Sequence, residues 1–213
     1  MDIAILLFDR LTALDAIGPY EVLGRVPGAR LHFVAAEPGS KRTDQGLGID
    51  ASEALSDVAH PEIVVVPGGP GEREAKRDPR VLDWLRAAHE TSTWTTSVCT
   101  GSLILAAAGL LTGRRATTHW LALDELRDHG AEPTVDRVVV DGKIVTAAGV
   151  SSGIDMALTL AAMLAGDDVA KRIQLSIEYD PQPPFDAGSP AKAPASVVQF
   201  LRDRSRFAPT TAG

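Results

Sequence analysis

The sequence predicts one α/β domain built on a doubly wound, mostly parallel sheet with helices on both faces. Three observations predict it. Short runs of strand length recur, apolar at Ile3–Phe8 and Glu62–Val66 and rich in β-branched and aromatic residues at Trp94–Val98, as expected for the strands of a parallel sheet. Helical patterns separate these runs, giving the strand, helix, strand order of a parallel sheet. Each run also ends in a turn rich in glycine, proline or polar residues, where such sheets gather their ligand sites.

Taken in order, Ile3–Phe8 is the first strand and Asp9–Gly18 the turn after it. Pro19 is placed to open a short helix, with Tyr20, Val22 and Leu23 turned to the core. Leu31–Ala36 is a second strand and Lys41–Asp50 a looping hairpin. Glu62–Val66, the third buried strand, stops at Pro67-Gly-Gly-Pro-Gly71, which no regular element continues through. Asp78-Pro79 starts an amphipathic helix that carries Val81, Leu82, Leu85 and Ala88 on one face. Strand Trp94–Val98 then leads into a helix over Leu103–Ala108.

Beyond a short link come Ala116-Thr-Thr118 and a helix over His119–His129. Asp141-Gly142 separates strands Arg137–Val140 and Lys143–Thr146 as a hairpin. Ser151–Ala165 is an almost wholly apolar helix, too short for a membrane span and interrupted by Asp155, hence a core helix. A helix over Asp167–Tyr179, a proline-rich loop over Asp180–Pro194 and a last helix over Ala195–Arg204 complete the domain. Residues 1–206 are expected to form this single domain and 207–213 a frayed tail.

Composition narrows the function. The 213 residues carry a formal charge of −7, which opposes nucleic-acid and acidic-membrane binding and favours a small-molecule partner. One cysteine makes no internal disulfide, and the acidic, short apolar N-terminus is not a secretory signal. The expected location is the cytoplasm. No His, Cys and Asp spacing resembles a metal site.

That one cysteine, Cys99, sits where the strand meets the helix, so the helix dipole is expected to favour its thiolate. The setting is that of a nucleophile elbow, with Ser97 at the position where the motif has glycine. A single cysteine is also commonly just a small buried apolar residue. Thr100 offers the N–H after the nucleophile as an oxyanion donor, with its hydroxyl near the sulfur. Its alternative role is helix capping. Gly69 is the expected second donor, in a turn that lacks any phosphate-loop pattern. Asp15 could relay protons to the thiol or simply cap a helix. Glu21 is the rival carboxylate, and His119 either supports the cysteine or caps and packs. The Arg202, Arg204 and Arg206 run is expected to be a solvated helix face.

Leu14-Asp-Ala-Ile-Gly-Pro-Tyr-Glu-Val-Leu23, Val65-Val-Pro-Gly-Gly-Pro-Gly71, Thr96-Ser-Val-Cys-Thr-Gly-Ser102, Arg115-Ala-Thr-Thr-His-Trp120 and Ile177-Glu-Tyr-Asp-Pro-Gln-Pro-Pro-Phe-Asp-Ala-Gly-Ser-Pro190 together resemble the isocyanide (isonitrile) hydratase branch of the PfpI/ThiJ superfamily. That superfamily is related to the class I glutamine amidotransferases. The resemblance implies a flavodoxin-like three-layer sandwich, a homodimer, and a cofactor-independent hydratase. Cys99 matches the nucleophile, Asp15 the acidic residue beside its sulfur, and Thr100 the threonine that follows. His119 matches a histidine near the site in relatives. Many relatives place histidine directly after the cysteine, and the threonine here moves the proton work to Asp15.

The implied reaction converts an organic isocyanide and water to an N-substituted formamide through a Cys99 thioimidate. Two other functions fit the same resemblance. One is a glyoxalase or deglycase-like activity; the other is a ligand- or redox-sensing domain related to AraC-type regulators.

Overall fold

A computed structural model describes residues 1–207. The chain begins with β1 (Asp2–Leu6), α1 (Ala13–Leu23) and β2 (Arg30–Ala35). A small antiparallel hairpin, β3 (Gly39–Arg42) and β4 (Gly48–Ala51), precedes the short β5 (Glu53–Ala54). Then come β6 (Ile63–Val66), the single turn α2 (Glu72–Ala75), α3 (Pro79–Thr91), β7 (Trp94–Val98) and α4 (Gly101–Ala107). Short strands β8 (Arg115–Ala116) and β9 (Glu132–Pro133) flank α5 (Leu123–Asp128). The hairpin β10 (Val138–Asp141) and β11 (Ile144–Ala147) leads to α6 (Ser152–Ala165), α7 (Asp167–Ser176) and α8 (Ala195–Asp203).

Seven strands form the main sheet in the order β10-β11-β7-β6-β1-β2-β5. Every pairing is parallel except β10 with β11 at one edge. This is the flavodoxin-like three-layer sandwich that the sequence predicts. The strand period of two explains the layers. Ile3, Ile5, Ile63 and Val65 join one core with α1, α6 and α7, while Ala4, Leu6, Val64 and Val66 join another with α3, α4 and α5. The apolar runs are continuous because both faces are covered.

Several boundaries differ from expectation. Helix α1 starts at Ala13, so Pro19 lies inside it and Asp15 belongs to its first turn. The proline removes one helix N–H, and the burial of Ala16, Val22 and Leu23 against the sheet outweighs that loss. Tyr20 faces outward and stacks on Phe33 at 5.3 Å. The β10–β11 register pairs Asp141 with Ile144, making Gly142-Lys143 the turn, with Gly142 at φ 60. The helix expected over His119–His129 is instead a 3-10 turn at Trp120–Ala122 followed by α5. Helix α7 ends at Ser176, and the Tyr179 hydroxyl donates to Asp155.

The expected tail divides in two. Phe207 packs on the core built by α3 and α4, whereas residues 208–213 lie outside the described residues. Among the described residues no helix is long and apolar enough to cross a membrane.

Candidate active site

The sheet order brings β1, β6 and β7 side by side, so the loops at their carboxyl ends converge. Cys99 follows β7 with φ 56, in the left-handed region. A non-glycine residue there is held by its surroundings. Its N–H donates to the carbonyls of Ala147 and Ala148 at 3.1 and 2.9 Å, and its own carbonyl accepts from Thr118 Oγ1 at 3.0 Å and Ser102 Oγ at 3.2 Å. Gly101 permits the turn, because a Cβ there would stand 2.1 Å from the Val66 carbonyl oxygen.

Asp15 is fully buried on the first turn of α1. It caps nothing. Oδ2 accepts from the Gly68 N–H at 2.9 Å, Oδ1 has no hydrogen-bond partner among the described residues, and the carboxyl group lies beside the Cys99 thiol. Burial is the main cause that lifts its carboxyl to about 7, and the bonds from Gly68 and Cys99 only partly oppose it.

Burial likewise pushes the Cys99 thiol up, to about 12, and the Asp15 charge adds to the rise. Bonds from the Val150 and Thr100 backbone N–H groups pull the other way. The expectation of a resting thiolate is therefore corrected. Helix α4 has only seven residues, and desolvation beside a carboxylate overrides what its dipole offers. The site rests as a thiol next to an acid that titrates near neutrality.

Thr100 and Gly69 act together in a way the sequence did not show. The Gly69 N–H donates to Thr100 Oγ1 at 3.0 Å. The threonine hydroxyl is thus bonded neither to the sulfur nor as a cap for α4, which has no side-chain cap. Gly69 is also corrected as an oxyanion donor. Its amide is buried in the turn and takes the nearest acceptor, as buried N–H groups must. The Thr100 N–H bonds the Cys99 sulfur.

Glu21 does not reach the site: it is exposed and paired with Arg25, one helical turn on. His119 lines the Cys99 cleft, but its Nδ1 accepts from the Leu121 N–H at 3.3 Å as the cap of the 3-10 turn. Its proton therefore sits on Nε2. Burial first, and then the Arg206 charge, lower its pKa and keep the ring neutral.

Two contributors were missed. Val150, at φ 25, follows β11 next to Cys99 and supplies an N–H to the sulfur. An ordinary valine carries no motif, and only its place after the neighbouring strand could have marked it. Arg206, expected on a solvated helix face, lies past the end of α8 and lines the cleft. It donates to the Gly69 and Pro70 carbonyls at 3.4 and 3.3 Å and pairs with Glu72.

The cleft over Cys99 encloses about 270 Å³. A larger one, of about 410 Å³, opens over the ends of β1 and β2 beside Glu37, Asp78 and Arg80. Those charges pair with one another, and the larger cleft has no cysteine, serine or threonine in its lining, so the smaller cleft with Cys99 is the candidate site. Among the described residues no group of three or more His, Cys, Asp and Glu side chains is arranged to hold a metal ion.

Comparison with known proteins identifies the family. The chain is 44% identical over 205 residues to an isonitrile hydratase of Pseudomonas putida, covering 96% of this chain and 90% of that one. It is 30% identical over 176 residues to the HTH-type transcriptional regulator CdhR of Pseudomonas aeruginosa, covering 81% of this chain but 52% of the regulator. Among solved structures, a ThiJ/PfpI family protein from Pseudomonas syringae superposes with a TM-score of 0.92 at 37% identity, covering 97% of this chain and 88% of that one. The DJ-1/PfpI family model matches residues 1–163, and with these relatives it places the chain in the DJ-1/PfpI family.

Proposed function

We propose that this protein is an isocyanide hydratase, converting an organic isocyanide and water to an N-substituted formamide. The observation that carries the reading is the buried Asp15 carboxyl beside the Cys99 thiol, in a chain 44% identical to an isonitrile hydratase. An isocyanide carbon accepts a nucleophile and then needs a proton on that same carbon. A thiol and a carboxylate in contact supply both.

Asp15, as the carboxylate, takes the Cys99 proton while the sulfur bonds to the terminal carbon. It returns that proton to the carbon, leaving a neutral thioimidate. Water then adds: its oxygen bonds to the carbon, and one of its protons reaches the nitrogen through Asp15. The tetrahedral intermediate breaks its C–S bond as the hydroxyl becomes the formyl carbonyl, and the hydroxyl proton returns to sulfur. The N–H groups of Thr100 and Val150 support the thiolate as it leaves. Each step uses only these residues and water. His119, neutral and engaged as a cap, has a supporting place at the cleft wall.

A homodimer belongs to the same proposal, supported by the exposure of Val197, Phe200 and Leu201 on α8. Sedimentation at equilibrium tests it. For the activity, formamide production from a small isocyanide panel and lactate production from methylglyoxal are measured by mass spectrometry. Turnover of isocyanide by the wild type and its absence in Cys99→Ala support the reading. Turnover of methylglyoxal alone replaces it with a glyoxalase.

A further inference from the structure

One buried ion pair has no part in this chemistry. Glu72, on α2, has a side chain only 1% exposed, and a buried carboxylate is costly unless well paired. Its partners are Lys76 Nζ at 2.9 Å and the Arg206 guanidinium. Arg206 comes from more than 130 residues away in sequence. It also holds the carbonyls of Gly69 and Pro70, the turn that passes beside Thr100. The end of α8 is thereby tied to the loop after β6.

The tie places Phe207. The guanidinium lies 4.4 Å from the centre of the Phe207 ring, and the Phe207 N–H donates to Ser205 Oγ at 3.0 Å. Phe207 packs on the core on one side and lines the Cys99 cleft on the other, with Pro70, Leu121 and Val150. These four side chains are apolar. The charge of Arg206 is already paired with Glu72, and His119 is kept neutral, so neither presents a free cation to a bound group. A reactive carbon at Cys99 would leave its substituent against this apolar wall.

We infer that Phe207, positioned by the Arg206–Glu72 ion pair, is the specificity-determining residue that limits the size of the group reaching Cys99. Arg206 and Glu72 are positioning residues, acting through Phe207 and the Gly69–Pro70 turn. The limit applies to any electrophile that enters the cleft. Only its catalytic readout rests on the hydratase reading.

The test compares the wild-type chain with Phe207→Ala, Phe207→Leu and Glu72→Gln. Cys99 alkylation rates are followed by mass spectrometry with a small probe, iodoacetamide, and a bulky one, N-cyclohexylmaleimide. A methyl-sized and a tert-butyl-sized isocyanide are compared by kcat/KM. Removing a wall ring changes size discrimination by about tenfold or more. Phe207→Ala is therefore expected to raise the bulky-to-small ratio by about that factor in both assays. Phe207→Leu should restore part of the discrimination, and Glu72→Gln should shift the ratio in the same direction as Phe207→Ala. If Glu72→Gln does not fold, the two Phe207 variants decide. An unchanged ratio in Phe207→Ala overturns the inference, whatever the hydratase result. A shifted alkylation ratio in a protein that makes no formamide supports the wall and removes the hydratase reading.

Discussion

Asp15 is fully buried beside the thiol of Cys99, and one of its carboxylate oxygens has no hydrogen-bond partner among the described residues. The two residues are 84 positions apart and meet because β1 and β7 flank β6 in the sheet.

The nucleophile is tested directly. Cys99→Ala is expected to abolish formamide production, and Cys99→Ser to lower kcat by at least about a thousandfold, since an alcohol is a far weaker nucleophile than a thiol. Mass spectrometry of the wild type quenched during turnover should find one substrate mass added at Cys99. Wild-type rates in Cys99→Ala would remove the cysteine from the mechanism.

The proposed first step needs Asp15 ionised. With its carboxyl raised to about 7 and the thiol pushed up to about 12, kcat/KM should rise with pH through about 7 and then stay level well into the alkaline range. Asp15→Asn should lose most activity at every pH. An acid limb near pH 4 would mean that the carboxyl is not perturbed by its burial.

The same shift has a consequence for stability. Folded Asp15 keeps its proton up to about pH 7, whereas in the unfolded chain it loses it near pH 4, so between those values the folded state binds more protons. Stability from this group is full below about pH 4 and falls as the pH rises to 7. A shift of about three units corresponds to roughly 4 kcal/mol. Asp15→Asn, which cannot ionise, should therefore melt several degrees above the wild type at pH 8 and near it at pH 4. Calorimetry across that range checks it; a constant difference would refute the linkage.

The Gly69–Thr100 bond is structural. Thr100→Val leaves the buried Gly69 N–H without its acceptor and should cost about 1–3 kcal/mol in urea unfolding. Thr100→Ser keeps the oxygen and should lose much less. Equal stability of the two variants would show that the hydroxyl has no such role.

Glu21 provides the contrast. It is an exposed partner of Arg25, and Glu21→Gln should change stability by no more than about 0.5 kcal/mol and leave kcat/KM unaltered. A large loss of activity would return Glu21 to the site.

The amino-acid pattern by itself determined the layers and the place of Cys99 between strand and helix. Buried strands announce themselves as apolar runs, and Trp94–Val98 followed by Cys99 and Gly101 has a local meaning because strand, turn and helix chemistry act over a few residues. The resemblance added Asp15 as the partner of Cys99, where the residue by itself reads first as a helix cap. Only the tertiary structure decided what depends on distant neighbours. Burial turned an expected thiolate into a thiol beside a neutral-range acid, and the Gly69 amide went to Thr100 instead of remaining open. Arg206 looked like part of a solvated face until the fold brought it to Glu72 at the wall of the Cys99 cleft. Desolvation and long-range ion pairing are properties of packed surroundings, and no local stretch of sequence contains them.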